Sequence, residues 1–133
     1  MDINYAAGFF DGEGSIYANL SSQNQPRVGI SVAQRRPEVL HEWNDFWGFG
    51  FLHQQESWWR WDISGNVQCQ VVIAKLLPYL IVKKEVATVA LELLQRASLR
   101  MGRPGRSLTE EERSTRLDLM DQIQRLNVGY RQC

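Results

Sequence analysis

The segment Ala6-Ala7-Gly8-Phe9-Phe10-Asp11-Gly12-Glu13-Gly14-Ser15 joins a run of small and aromatic residues to two acids separated by a glycine. Residues 4–11 read as a short helix that is apolar on nearly every side, and such a helix is expected to be buried all round. Gly12 and Gly14 are expected to end it. Ala7 and Gly8 are small enough to let two helix backbones approach closely. Glu13 then stands at the C-terminal end, where the helix dipole disfavours a carboxylate unless a charge of opposite sign compensates. A bound divalent cation is such a compensation.

Outward from this segment the periodicity alternates between two and helical. Residues 15–21 and 27–33 place Ile16, Ala18, Leu20 and Val28, Ile30, Val32 on one side of a hairpin, with a polar turn between. Pro37 suits the first position of a second helix that buries Val39, Leu40, Trp43, Phe46 and Trp47 and stops at Gly48. A second hairpin spans residues 49–55 and 57–64, with Trp59, Trp61 and Ile63 on its dry side. Helices follow over residues 66–77 and 85–99, the latter with Val86, Val89, Ala90, Leu93, Leu94 and Ala97 at helical spacing. Residues 100–106 form a Gly/Pro/Arg loop. Thr109 with Glu112 makes a capping box for a last helix striped by Leu117, Met120, Ile123 and Leu126.

The chain has 133 residues, 44% hydrophobic and 11% aromatic, which suits one domain over residues 1–133 with its own core. Apolar runs are broken by Gln70, Lys75 and Pro78, so no segment is expected to cross a bilayer. No signal or transit pattern opens the chain; the expected location is the compartment of the encoding genome, without secretion. Cys69 and Cys133 are too few and too distant for a zinc ribbon or disulfide framework and read as free thiols. With only His41 and His53 in the chain, the segment from His41 to Asp45 lacks the second histidine of a zinc protease. Net charge is zero, but it is unevenly spread. Residues 1–26 hold three acids and no Lys or Arg, whereas residues 27–106 hold 11 basic against 7 acidic residues. Basic surface must therefore come from the middle of the chain.

The opening segment resembles the LAGLIDADG signature of homing endonucleases, of the type with one motif per chain. Three further stretches share the resemblance. Val32-Ala33-Gln34-Arg35 is similar to the family segment whose Gln orients the attacking water beside a basic neighbour. Leu77-Pro78-Tyr79-Leu80-Ile81-Val82-Lys83-Lys84 looks like the Pro-aromatic-Leu-x-x-Lys segment, with Lys83 in the place of its Lys. Asp121-Gln122-Ile123, followed by Leu126-Asn127, resembles a segment near the end of the fold. The pattern is broken where the family commonly carries another basic residue after the Gln: Glu38 stands near there, leaving the role to Arg35 or Arg36.

The resemblance implies a mixed α/β (α+β) fold, αββαββα with additional C-terminal helices, in which a curved antiparallel sheet lies in the DNA major groove. It also implies site-specific cleavage of both strands of a long DNA site by metal-dependent hydrolysis, leaving 3′ overhangs and serving intron or intein mobility. Glu13 and the Gly12 carbonyl would bind Mg²⁺, for which Mn²⁺ or Ca²⁺ could substitute in binding. Gln34, Lys83 and Arg35 would act on the water and phosphate. One carboxylate cannot hold such a site, so a second chain would supply the other through a homodimer interface formed by Ala6, Ala7, Gly8, Phe10 and Asp11. Residues out of phase with the dry side are expected to face double-stranded DNA: Tyr17, Asn19, Ser21, Arg27, Ser31, Arg35, His53, Gln55, Trp58, Arg60 and Asp62. Arg100, Arg103 and Arg106 are candidates for phosphate contact. A DNA-binding module that has lost cleavage and an intron RNA maturase are the competing readings.

Overall fold

The computed structural model describes residues 1–99 and 108–131. Its order is α1 (Ile3–Glu13), β1 (Gly14–Leu20), β2 (Pro26–Gln34), α2 (Glu38–Trp47), β3 (Phe51–Gln55), β4 (Trp58–Ile63), α3 (Asn66–Leu76), a 3-10 turn (Leu77–Tyr79), α4 (Lys84–Ser98) and α5 (Glu110–Arg131). This is the expected α+β class, with αββαββα followed by two further helices. The strands form one antiparallel sheet in the order β1-β2-β4-β3, so the two hairpins join through β2 and β4.

α1 begins at Asp2, whose carboxylate accepts the Tyr5 N–H at 2.8 Å, satisfying one of the helix's otherwise unpaired first-turn donors. The helix continues through Gly12 to Glu13, two residues past the expected stop. Gly14 is the residue that ends it. Its N–H bonds the Phe10 carbonyl, and a Cβ at Gly14 would lie 2.2 Å from the Phe10 ring. Only a glycine lets β1 leave the helix this close to that ring.

The dry side of the sheet carries Ile16, Ala18, Val28, Ile30, Val32, Trp61 and Ile63, all buried, as period-two alternation requires. α1, α2 and β4 meet at Trp43, which is fully buried. Its indole stacks on Phe10 at 5.9 Å and meets Phe9, Trp47 and Trp61 edge-on at 5.5 to 5.6 Å, arrangements that aromatic quadrupoles favour. Trp61 satisfies its indole N–H with Asn44 Oδ1 and the Phe49 carbonyl. α2 stops at Gly48, in the left-handed region at φ 78°, as a C-terminal glycine should. Cys69 is buried, which pushes its thiol up to about 12 and leaves it protonated and inert. Cys133 lies outside the described residues.

α5 closes the free edge of β1. Asn127 and Gln124 donate their side-chain amides to the Ile16 and Ala18 carbonyls at 2.7 and 3.0 Å, covering backbone groups that an open edge would offer to another chain. Arg113 donates to the Asn24 carbonyl and so ties the β1–β2 turn to the same helix. Two expectations for α5 are corrected. Leu119, rather than Leu117, is buried together with Ile123, because Arg116 occupies the preceding inward position and bonds Glu112 and the Arg96 carbonyl. The capping box is half made: Thr109 Oγ1 accepts the Glu112 N–H, while the Glu112 side chain turns to Arg96 and Arg116.

Candidate metal centre and nucleic-acid interface

The two sides of α1 differ. Ala6, Ala7 and Phe10 are at most 1% exposed, facing the chain's own core, where Phe10 stacks on Trp43. This corrects their assignment to a dimer interface: their side chains are unavailable to a second chain. Tyr5, Gly8 and Gly12 lie on the opposite, open side, at the i, i+3, i+7 spacing of one helix face. A Cβ at Gly8 or Gly12 would meet nothing within 4 Å, and neither glycine has a positive φ. Among the described residues nothing calls for them. Each weakens a helix by about 1 kcal/mol relative to alanine.

Asp11, also a dimer-interface candidate, is half-buried and makes its bonds within the chain. Its carboxylate accepts the Ile81 N–H at 2.7 Å and the Lys83 N–H at 3.0 Å, and its backbone carbonyl accepts the Lys83 ammonium at 2.6 Å. The motif helix and the lysine segment, 70 residues apart, are thereby joined. Burial holds the Lys83 ammonium below the ordinary lysine pKa, against the opposing charges of Asp11 and Glu13. Glu13 is exposed at the last position of α1. Gln34 ends β2 two residues beyond Val32, the register partner of Gly14, and so stands at the end of the sheet where α1 finishes. Glu13 and Lys83 thus lie close enough to interact electrostatically, while Gln34 shares with them only this end of the sheet. Arg35 does not join them in the same way: its guanidinium lies 5.1 Å from the Trp58 ring centre, on the hairpin's outer side.

The outer side of the sheet carries nearly all the remaining candidates. Register places Tyr17 opposite Gly29, Asn19 opposite Arg27, Ser31 opposite Asp62, His53 opposite Arg60 and Gln55 opposite Trp58. Several are oriented by one another. Asn19 accepts from Arg27 at 3.0 Å, and Asp62 bonds His53 at 2.9 Å with Arg60 at 3.7 Å. The Tyr17 ring lies over Gly29, where any side chain would collide with it. Ser21 lies one residue beyond β1, in the β1–β2 turn, where its hydroxyl accepts from the Gln23 and Gln25 N–H groups. Trp58 is 43% exposed while Trp61 is buried, as the strand phase predicts.

An open depression of about 410 Å³ links the two regions, with Tyr17, Ser31 and Arg60 on the sheet and Lys83 at its end. Ser15 and Asn127 also line it. Ser15 shares the phase of Tyr17 and was legible by alternation, whereas Asn127 reaches the sheet from α5 with no local signal. Phe51, 63% exposed and stacked on His53 at 4.7 Å, is a further outer-side residue that the polar bias of the candidate set passed over. Arg100, Arg103 and Arg106 lie outside the described residues.

The donor set tests the expected metal. Among the described residues no group of three or more His, Cys, Asp or Glu converges. Glu13 and the Gly12 carbonyl supply hard oxygen donors suited to a hard cation, at a helix terminus where positive charge is favoured. They amount to half a site, exposed at the end of the open side of α1. They fit the ion if a second copy brings its own Glu13. Among the described residues no helix is long and apolar enough to cross a membrane.

Solved structures share this architecture. The chain superposes on the homing endonuclease I-CvuI, in complex with a target DNA in the presence of Mg and with that DNA not cleaved, at a TM-score of 0.79 and 22% identity, covering 93% of this chain and 80% of that one. The archaeal intron-encoded homing endonuclease I-Vdi141I, complexed with DNA, gives 0.80 and 18% over 93% and 82% of the two chains. The homing endonuclease I-TnaI gives 0.78 and 18% over 99% and 97%. No curated protein sequence matches the chain. At these identities the superpositions establish the fold. Residues 6–91 match the LAGLIDADG endonuclease family, a span that runs from the acid-bearing helix past Lys83, and the chain belongs to that family.

Proposed function

We propose that this protein is a homodimeric, site-specific DNA endonuclease that cuts both strands of a long, roughly two-fold symmetric site. The observation that carries the reading is the exposed Glu13 at the end of a helix whose open side is lined by glycines without a partner in their own chain. Two copies packed through Tyr5, Gly8 and Gly12 would bring their Glu13 carboxylates together, and the outer sides of their sheets would enter successive major-groove segments. The complexes of I-CvuI and I-Vdi141I with DNA support this placement.

Glu13 and the Gly12 carbonyl would hold Mg²⁺, with Mn²⁺ or Ca²⁺ able to replace it in binding. The bound ion supplies Lewis acidity that lowers the pKa of water and stabilises the leaving oxygen. The chain's own groups do the rest. Lys83 presents positive charge where the phosphate gains negative charge. Gln34 can accept from and donate to a water and so orient it. Tyr17, Arg27, Arg60 and Trp58 position the duplex, and Arg35, held by Trp58, contacts it at the hairpin's outer end. Intron or intein mobility, in the compartment of the encoding genome and without secretion, is the setting this activity serves.

A plasmid library challenged with the purified protein in Mg²⁺ or in EDTA tests the reading. Linear product is expected only with Mg²⁺, with cut ends that map to one symmetric sequence. Selective binding without nicking or cutting in any divalent metal would contradict it in favour of a binding module.

A further inference from the structure

We propose that Asp11 is a positioning residue for Lys83, fixing the lysine relative to Glu13 through the backbone of residues 81 to 83. The inference rests on the endonuclease reading and deepens it. Leu80 and Val86 are buried, but Ile81 is 85% and Val82 56% exposed, so no apolar anchor lies between them. The two carboxylate oxygens of Asp11 accept the N–H groups of Ile81 and Lys83 separately, which fixes the segment at two points. The third bond, from the Lys83 ammonium to the Asp11 carbonyl, refers the side chain to the same residue. Only Gly12 separates Asp11 from Glu13, so lysine and acid share one frame.

Electrostatics supports the same assignment. A carboxylate in the last turn of α1 is disfavoured by that helix, whereas α4 starts at Lys84 with Lys83 as its N-terminal cap. The Asp11 charge stands beside the favourable end of α4. An uncharged residue would lose that attraction, and asparagine would also turn an NH₂ group toward one of the two N–H donors.

The test compares Asp11→Asn, Lys83→Met and the double variant in single-turnover cleavage, with DNA affinity and melting temperature measured for each. Asp11→Asn should slow cleavage by about 10- to 100-fold, since a misplacement of roughly 1 Å can cost on the order of a hundredfold in rate. Affinity should change little, and melting should fall by only several degrees, leaving the protein folded at the assay temperature. In the Lys83→Met background, Asp11→Asn should have almost no further effect on rate, the signature of one residue acting through the other. Independent losses that multiply in the double variant, or a loss that merely follows affinity or melting, would overturn the inference.

A second readout needs neither DNA nor cleavage. Under limiting acylation of the free protein by acetic anhydride, the ratio of modification at Lys83 to that at exposed Lys84 should rise several-fold in Asp11→Asn as the ammonium is released. An unchanged ratio would overturn the positioning role even in a protein that never cuts. A wild type that fails to cut while this ratio rises would instead remove the endonuclease reading and leave the Asp11–Lys83 link standing.

Discussion

The inner and outer sides of this molecule are built on different grounds. Inside, Ala6, Ala7 and Phe10 on α1 and the apolar row of the sheet are accounted for by contacts within the chain. Outside, Gly8 and Gly12 weaken the helix and have open space around them among the described residues, while the sheet displays Arg27 paired with Asn19 and Arg60 paired with Asp62. Residues that lower the stability of their own chain without any internal contact to require them point to something beyond it. The inner side answers to stability and the outer side to partners, so substitutions on the two should fail in different assays.

The largest effect is expected inside. Phe10→Ala removes the ring that stacks on Trp43 and covers Gly14, and should destabilise the fold by about 3–5 kcal/mol in chemical denaturation. On the other side of the same helix, Gly8→Leu should abolish the dimer in sedimentation; an unchanged dimer mass would show that this side is not the interface. Gly8→Ala sharpens the contrast. It should raise the intrinsic stability of the helix by about 1 kcal/mol while weakening association, so unfolding becomes less dependent on protein concentration.

On the outer sheet, Arg60→Ala should cost about 1 to 3 kcal/mol of specific binding and relax preference at one base pair if Arg60 reads a guanine. A similar loss on every sequence would assign it to phosphate, and no loss would show that this side does not face DNA. The smallest effect belongs to the sheet edge. Asn127→Ala leaves the Ile16 carbonyl to water and should cost about 1 kcal/mol of stability, leaving base preference intact.

The element order and the sheet phase were legible because local periodicity carries them. The alternation around Ile16, Val28 and Trp61 is a property of consecutive residues, and it placed Trp58 outside and Trp61 inside correctly. The sides of α1 were not legible, because a helix made of alanine, glycine and phenylalanine presents no polar stripe; Ala6, Ala7 and Phe10 read as outward when the chain's own core buries them. The bonds of Asp11 were not legible for a different reason. Its partners are N–H groups of Ile81 and Lys83, and a backbone donor leaves no mark in the identity of the residue that carries it. Ser21 followed the strand alternation one step too far, into a turn closed by its own hydroxyl. The candidate acid Glu13 and candidate Lys83 rest on the resemblance of short motifs, while the link between the motif helix and the lysine segment is visible only in the three-dimensional structure.

The central claim is that Glu13 serves a partner ion rather than the chain itself, and Glu13→Gln tests it most directly. The substitution keeps the shape and removes the charge in both copies of the proposed dimer. With Mg²⁺, cleavage of the preferred site should fall to background while specific binding persists at wild-type strength or slightly tighter, since a negative group near the phosphates is gone. A Glu13→Gln protein that cuts at the wild-type rate would contradict the account.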